Sequence, residues 1–530
     1  MLDAIIISDT GNDTFSISSS LRLKLDGRPA VIQNIINYLE NDGKIVDPVK
    51  WENENNWHCA PKLNGIFLLS HLLKDGFTAE LIDSYYNERD RFIELLGHNP
   101  KAVVISTTFI SNKCSLHQLV ADIRSLAGDI TIIAGGPFVY SSYLLLQRVA
   151  DVAYDTTSPS EHFLFLTPNE RPDVNLFIID TKGAVILSRA LEQVRHGQRV
   201  SGLPKTAYWD GERYIFSNMS ACCEDPDNII VDWSCIPDRF FSNGVMNVQA
   251  SNGCPFRCEF CNFVKEKKDA YVKPLDTLIA ELLEITRRGI RYVRFVDDNF
   301  RLGRNDLNQV CRAIIEAKLN IKWMSFIRAS ALKDTDLNLL KRAGCIEVQM
   351  GVESADRRVL KNMSKNSDPE MYLQVIGSLL DIGINCSCCF IAGFPGETAE
   401  SLQATLDFIE RIPQSDQLGL FYWSIYPFLL VPLSPVYEPS RRSLYNLSGY
   451  MDKWKHFSMD SSTVRTWIRK AFCKIKNSSP IYSGDNLDLL SNLSLARIKK
   501  FLKTRHNLEK QFLGTPVDKS SVIKAFSDIF

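Results

Sequence analysis

The sequence predicts an α/β protein with two successive parallel-sheet units: an N-terminal doubly wound sheet, then a partial (β/α)6 barrel, followed by a helical C-terminal region. Three observations carry this. Short, wholly apolar segments alternate with stretches long enough for helices, the pattern of parallel strands buried on both faces. Several of these segments end in glycine-containing or hydroxyl-bearing turns. The 530 residues, 45% of them hydrophobic, are too many for a single core.

In the first unit, residues 4–8 read as a strand, 63–73 as a helix, 78–82 as a strand and 89–96 as a helix. Residues 102–106 form a continuous apolar strand, 116–126 a helix and 130–134 another buried strand. Doubly wound sheets bind ligands beyond the carboxyl ends of their strands. Those ends carry Ser106-Thr107-Thr108 and Gly135-Gly136-Pro137. Small hydroxyl residues and glycines allow a ligand close approach, and they serve equally well in tight strand-to-helix turns. Residues 150–245 read as a less regular bridge. In the second unit, strands are expected at 246–250, 292–296, 322–327, 346–352, 386–392 and 419–425. Helices such as 274–288, 306–317, 335–343 and 399–411 lie between them. From about 440 the chain reads as helical. The expected division is 1–190, a linker 191–244, a barrel 245–440 and a C-terminal domain 441–530.

The net charge of −1, with 23% charged residues, offers no basic excess for a nucleic-acid partner. The basic run from Arg497 to Arg505 reads as the solvated face of a helix. The opening segment Met1 to Ser8 is a strand rather than a signal peptide. The apolar stretch Leu418 to Leu433 is broken by Ser424, Pro427 and Pro432 and is too short to span a bilayer. These features predict a cytoplasmic protein with no membrane partner. Its 14 cysteines are then thiols or metal ligands rather than a disulfide framework.

Directly after the first barrel strand comes Ser251-Asn-Gly-Cys254-Pro-Phe-Arg-Cys258-Glu-Phe-Cys261. Three thiolates spaced by three and then two residues can wrap one cubane cluster within a single loop. A [4Fe-4S] cluster usually takes four thiolates, so three leave one iron open to a small chelating ligand. A structural zinc site wants four ligands, usually as two distant pairs, and no Cys or His follows closely behind Cys261. Accidental thiols are the remaining reading. Cys386 and Cys388 share one face of a strand while Cys389 points away. These three, with Cys345 and the adjacent Cys222 and Cys223, read as buried small hydrophobes.

The cysteine motif, with Phe260 before its last cysteine, resembles the signature of the radical S-adenosylmethionine (SAM) superfamily, and segments in order over roughly 245–440 extend the likeness. The resemblance implies that SAM chelates the open iron and is cleaved by one electron to methionine and a 5′-deoxyadenosyl radical. It also implies roles for the strand ends, where parallel α/β barrels gather ligands. Asp297 and Asp298, in Phe295-Val-Asp-Asp-Asn-Phe300, would face the SAM amino group. Glu353 and Ser354, in Gln349-Met-Gly-Val-Glu-Ser354, would face its ribose or methionine part. Gly393, in Phe390-Ile-Ala-Gly-Phe-Pro-Gly-Glu-Thr398, would lie against the adenine.

A doubly wound domain ahead of such a barrel is similar to the cobalamin-binding class of this superfamily. On that likeness Pro61-Lys-Leu-Asn-Gly65, Ser106, Thr107, Thr108, Gly135 and Gly136 fall on corrin-facing loops. No Asp-x-His-x-x-Gly motif is present, so no histidine is expected beneath cobalt. Leu25-Asp-Gly-Arg-Pro29, Val104 to Phe109, Phe177 to Gly183 and Trp454-Lys-His-Phe-Ser-Met459 loosely resemble the P-methyltransferases of phosphinate natural-product biosynthesis. The implied cofactors are a [4Fe-4S] cluster, SAM and cobalamin. The implied partners are a small-molecule or peptide substrate and an electron donor such as flavodoxin or ferredoxin. The implied reaction is methyl transfer to an unactivated carbon or phosphinate centre. The alternative is a non-methylating dehydratase, epimerase or group-transfer enzyme whose first domain is a scaffold. No catalytic side chain is singled out. His456 reads as a packed or surface histidine, with a substrate-facing role as the alternative.

Overall fold

The computed structural model describes residues 2–10, 20–47, 60–167, 173–180, 182–220, 230–263, 270–303, 306–365, 367–412, 419–482, 485, 487–490 and 492–529. Cys222 and Cys223 lie outside them. The apolar runs of the first unit are β1 (Ala4–Ile7), β2 (Ala79–Ile82), β3 (Ala102–Ser106), β4 (Thr131–Gly135) and β5 (Leu176–Ile178), joined in parallel. An antiparallel pair, β6 (Thr206–Trp209) and β7 (Tyr214–Ser217), completes a seven-stranded sheet of order β2-β1-β3-β4-β5-β6-β7. Every residue of β1 and β3 is buried, as strands covered on both faces require. β2 and β3 flank β1 on opposite sides, so the strand order reverses between β1 and β3 and opens a crevice at their carboxyl ends.

Residues 150–245 differ from the irregular bridge, and 191–244 from the linker, expected above. β5, the helix Ala184–Arg195, β6 and β7 carry the first sheet on to Ser217. The hairpin turn is closed by Asp210, whose carboxylate accepts from the backbone N–H groups of Glu212 and Arg213 at 2.8 and 2.9 Å. Its strands hold through an aromatic cluster in which Tyr214 meets Trp209, Phe165 and Phe177 edge-on. These strands are too short to show a two-residue period against the surrounding sequence.

The second unit is a parallel sheet in sequence order: β8 (Val245–Val248), β9 (Tyr292–Phe295), β10 (Lys322–Phe326), β11 (Cys345–Glu353), β12 (Asn385–Ala392), β13 (Phe421–Pro427) and β14 (Ser479–Pro480). The expected six strands are present, and β14 adds a seventh from the region expected to be helical. That region also holds the hairpin Ser448–Tyr450 with Lys453–Lys455 and the strand Pro516–Val517. Two- and three-residue strands leave no periodic trace, which is why a helical reading missed them.

Pro516–Val517 pairs with the N-terminal hairpin Lys24–Leu25 and Arg28–Pro29. Asp26 and Gly27, at φ 49° and 80°, make its turn, the two-residue geometry that Asp-Gly favours. The two ends of the chain thus share a second core containing Leu23, Leu25, Ile35, Phe501, Val522 and Phe526, which abuts Leu420 and Tyr422 beside and within β13. A buried ion pair ties it together. Arg505, wholly buried, donates at 2.7 Å to both oxygens of Asp485 and at 2.8 Å to the Pro480 carbonyl of β14. Asp485 in turn accepts from the Ile32 N–H at 3.1 Å.

No helix among the described residues is long and apolar enough to cross a membrane. Replacing Arg505 by Met leaves Asp485 buried without its cation and should destabilise this module by about 3–5 kcal/mol. Hydrogen exchange across the helix Leu495–Phe512 should show that loss of protection. Unchanged protection would mean the ion pair does not hold the module.

Candidate functional site

The cysteine loop leaves β8 and is hung from the strand beside it. Asp297, two residues past β9 and only 3% exposed, accepts from the Ala250 N–H at 3.0 Å and from the Ser251 hydroxyl. Burial pushes its carboxyl up to about 6, against the hydrogen bonds from Ser251 and Ala250 that favour the anion. Asp298, exposed, accepts from the Gly253 N–H at 3.0 Å. Gly253 sits at φ 96° with Ala270 3.2 Å from where a Cβ would be, so the chain turns sharply just before Cys254.

The far side of the loop is held by Glu259, which is buried. Its carboxylate accepts from Arg441 at 2.9 Å and Ser364 at 3.2 Å, its N–H donates to the Met363 carbonyl at 3.0 Å, and its carbonyl accepts from Val436 at 2.9 Å. Phe260 meets Phe394 edge-on at 6.4 Å, and the Arg328 guanidinium lies 3.5 Å over the Phe256 ring.

Cys254, Cys258 and Cys261 are free thiols of intermediate exposure on this one loop. Burial pushes the Cys254 thiol up. Among the described residues no three His, Cys, Asp or Glu side chains are gathered around one point; the thiols share a loop without being drawn together. Three thiols on one loop, with no further Cys or His close behind Cys261 in the sequence, fit a cubane with one open iron better than a structural zinc site.

The other barrel residues singled out above stand at the strand ends in different states. Asp297 spends both oxygens on the loop, while Asp298 faces a cleft of about 330 Å³ with Arg294, Met324, Phe326 and Gln349. Glu353 ends β11 at φ 66°, a strained conformation for a non-glycine residue, and pairs at 2.6 Å with the buried ammonium of Lys365. Burial works against that ammonium, but Glu353 and Tyr372 beside it hold its pKa above the ordinary lysine value. Ser354 is fully buried and accepts from the Asp356 N–H at 3.1 Å, at the start of the helix Arg357–Asn362.

Gly393 turns at φ 92°, and a Cβ there would lie 2.5 Å from the Trp454 ring. Its N–H donates to the fully buried carboxyl of Glu397, which burial pushes up to about 8. His456 is 2% exposed, stacks on Trp454 at 5.2 Å, and shares a 3.2 Å hydrogen bond with the Gly393 carbonyl through Nε2. Burial lowers its pKa to about 4. It is therefore a neutral packing group rather than a substrate-facing one. Cys345, Cys386 and Cys388 are buried, and Cys389 lies on the opposite strand face at intermediate exposure.

In the first unit, Ser106 and Gly135 are in register at the ends of adjacent strands. Asn64 bridges the switch point, donating to the Ser8 carbonyl at 2.9 Å and to the Ser106 hydroxyl at 2.8 Å, and Ser106 and Thr108 share a 3.1 Å bond. Thr107 turns inward to the Gly135 carbonyl at 2.9 Å and is fully buried. The glycines have an internal reason. A Cβ on Gly135 would crowd Ile178 at 3.2 Å, and one on Gly136 would crowd Thr107 at 3.1 Å. The five residues thus come together, with Ser106 and Thr108 presenting hydroxyls at the crevice side. Lys62, 2% exposed, sits 3.7 Å from Asp9 and 3.6 Å from Asp83. Asn64, Lys62 and Asp9 belong to this edge, and Pro61 to Gly65 is the sequence signal that points to it.

Comparison with known proteins agrees with this fold. Residues 248–409 match the family model of the radical SAM superfamily. An uncharacterized methyltransferase of Pyrococcus horikoshii is 22% identical over 362 residues, 66% of this chain and 73% of the relative. The radical SAM methyltransferase TsrM from Kitasatospora setae, in its structure with cobalamin and a [4Fe-4S] cluster bound, superposes with a TM-score of 0.56 at 14% identity, over 82% of this chain and 74% of that one. The cobalamin-dependent SAM radical enzyme OxsB, with aqua-cobalamin and SAM bound, gives 0.58 at 15% identity, over 100% of this chain and 84% of that one. At such identities the likeness is one of fold.

Glu397 offers a pH test. Its folded carboxyl holds a proton more tightly than the unfolded chain does, so its stabilisation is complete below about 4.5 and is lost as pH rises toward about 8. Glu397→Gln keeps an acceptor for Gly393 and cannot ionise. Wild type should lose stability relative to this variant by roughly 1.4 kcal/mol per pH unit in that window. Parallel thermal profiles would contradict the assignment.

Proposed function

We propose that this chain, whose residues 248–409 form a radical SAM domain, is a cobalamin-dependent methyltransferase acting on an unactivated carbon or phosphinate centre of a small-molecule or peptide substrate. The observation that carries the reading is a pairing within one chain. A three-thiol loop follows the first barrel strand, and the crevice edge of a doubly wound sheet abuts that same strand. The contact is the Asn247 side chain of β8, which donates to the Pro61 carbonyl at 3.0 Å. The similar fold of two cobalamin-bound enzymes and the methyltransferase name of the Pyrococcus relative support it.

Cys254, Cys258 and Cys261 would hold the [4Fe-4S] cluster. When bound, the cluster supplies the electron that cleaves SAM to a 5′-deoxyadenosyl radical, and cobalamin supplies a carrier for a methyl group. The remaining work belongs to side chains. Asp297 fixes the loop's entry and Glu259 its far side, so the thiols are presented from a rigid support. Asp298, on the cleft, would accept from the SAM amino group. Glu353, already paired with Lys365, would accept from the ribose or methionine part. Phe260, Phe394 and the Gly393 turn would form an apolar wall excluding water beside the adenine. Ser106 and Thr108 would bond the amide rim of the corrin, and Thr107 and Gly136 would shape the turn beneath it. A flavodoxin or ferredoxin would deliver the electron.

The test is a preparation from cells supplied with hydroxocobalamin, reconstituted anaerobically. It should carry about four irons in the site and stoichiometric cobalt lacking a nitrogen lower-ligand signature. Turnover should release S-adenosylhomocysteine together with 5′-deoxyadenosine. Cobalt-free protein that releases 5′-deoxyadenosine alone would overturn the methyltransferase reading in favour of a non-methylating enzyme with a scaffold domain.

A further inference from the structure

The cleft beside the cysteine loop has a cation at one end. Side chains alternate along strands, and the register puts Arg294, Met324 and Glu347 on one level of β9, β10 and β11, with Phe326 and Gln349 on the next. This is the face opposite Phe295 and Trp323, which pack together edge-on at 5.5 Å. Arg294 is partly buried. Burial pulls its pKa down while the Glu347 carboxylate raises it, but a guanidinium stays protonated in proteins.

The carboxylate that offsets this charge is Glu347, on the strand beyond Met324. Glu347 accepts from Gln349 at 3.1 Å and from the Tyr422 hydroxyl at 3.2 Å. Arg294 lines the cleft and Glu347 does not. Of the residues lining it, Arg294 is the one cation. The two carboxylates, Asp297 and Asp298, accept from the N–H groups of Ala250 and Gly253 at the cysteine-loop end. Met324 and Phe326 make the wall between. The cleft is thus polarised: acidic at the loop end, apolar along its side, cationic at the other end.

We propose that Arg294 is a specificity-determining residue that anchors an anionic group of the substrate, a carboxylate or a phosphinate. The substrate is then an acid whose apolar part lies along Met324 and Phe326, reaching toward the cysteine loop. A guanidinium offers planar paired donors to such a group, and a pocket built to bond a charged oxygen rejects the neutral analogue. This rests on the radical SAM reading only in taking the cleft as substrate-facing.

The test uses the reconstituted full-length protein with SAM bound, titrated calorimetrically with acetate, dimethylphosphinate and neutral acetamide. Both anions should bind and acetamide should bind at least roughly 10-fold more weakly. Arg294→Met would take the opposing charge away from the Glu347 carboxylate, so Arg294→Met/Glu347→Gln, which removes both charges, is measured beside it. The double variant should lose anion affinity on the order of 10- to 100-fold while its affinity for SAM matches wild type. Equal anion binding by wild type and double variant would overturn the proposal. So would a variant whose SAM affinity falls while anion binding stays, since Arg294 would then serve the SAM carboxylate. Iron content, read on the same samples, bears on the radical SAM reading alone and separates its failure from this one.

Discussion

The functional half of this molecule depends on one buried carboxylate. Asp297 closes the end of β9 and carries the start of the cysteine loop on its two oxygens, through Ala250 and Ser251. A charged group this deep is costly unless its hydrogen bonds are made, and here they are made to the segment whose position matters. Asp298 repeats the device one residue on, at Gly253. Three thiols spaced for a cluster are therefore offered from a loop with a fixed root, beside the cleft that Asp298 and Arg294 line.

Other parts of the chain brace the same loop from the opposite side. Glu259, between two of the cysteines, is bonded to Arg441, Ser364, Met363 and Val436. The segment that supplies Val436 and Arg441 also reaches the first unit. The Leu433 N–H donates to the Tyr154 hydroxyl at 2.9 Å, Tyr437 donates to the Asp155 carbonyl at 3.1 Å, and Glu438 pairs with Arg148 at 3.2 Å. The cysteine loop and the doubly wound sheet thus share one connecting segment. It gives a physical route by which the first unit and the cysteine loop hold a constant relation.

Much of this was legible in the sequence because the decisive elements are long or chemically unusual. β3 is a five-residue apolar run, and β11 and β12 are nine and eight residues long; each is legible within a residue of its bounds. The cysteine spacing is a chemical pattern that no packing requirement produces. What escaped was short or relational. β6, β7 and β14 are two to four residues long and carry too few positions to show a period. The pairing of Glu353 with Lys365 and the bond between His456 and the Gly393 carbonyl join residues whose nearness no spacing rule gives. In the sequence Gly135 and Gly136 suit either close approach of a ligand or a tight strand-to-helix turn, and the contacts of Ile178 and Thr107 add an internal reason for small residues there. Arg294 sits in an ordinary strand, and it acquires meaning only when the register sets it beside the cleft.

The most direct measurement of the central claim is the electron paramagnetic resonance spectrum of the reduced, reconstituted protein with and without SAM. The account predicts a reduced [4Fe-4S] signal that shifts when SAM is added, because a cluster held by three thiolates would leave one iron without a protein ligand. It also predicts that changing Cys254, Cys258 and Cys261 together to Ala abolishes the signal along with 5′-deoxyadenosine formation. A cluster signal indifferent to SAM, or a triple variant that still cleaves SAM, would contradict it.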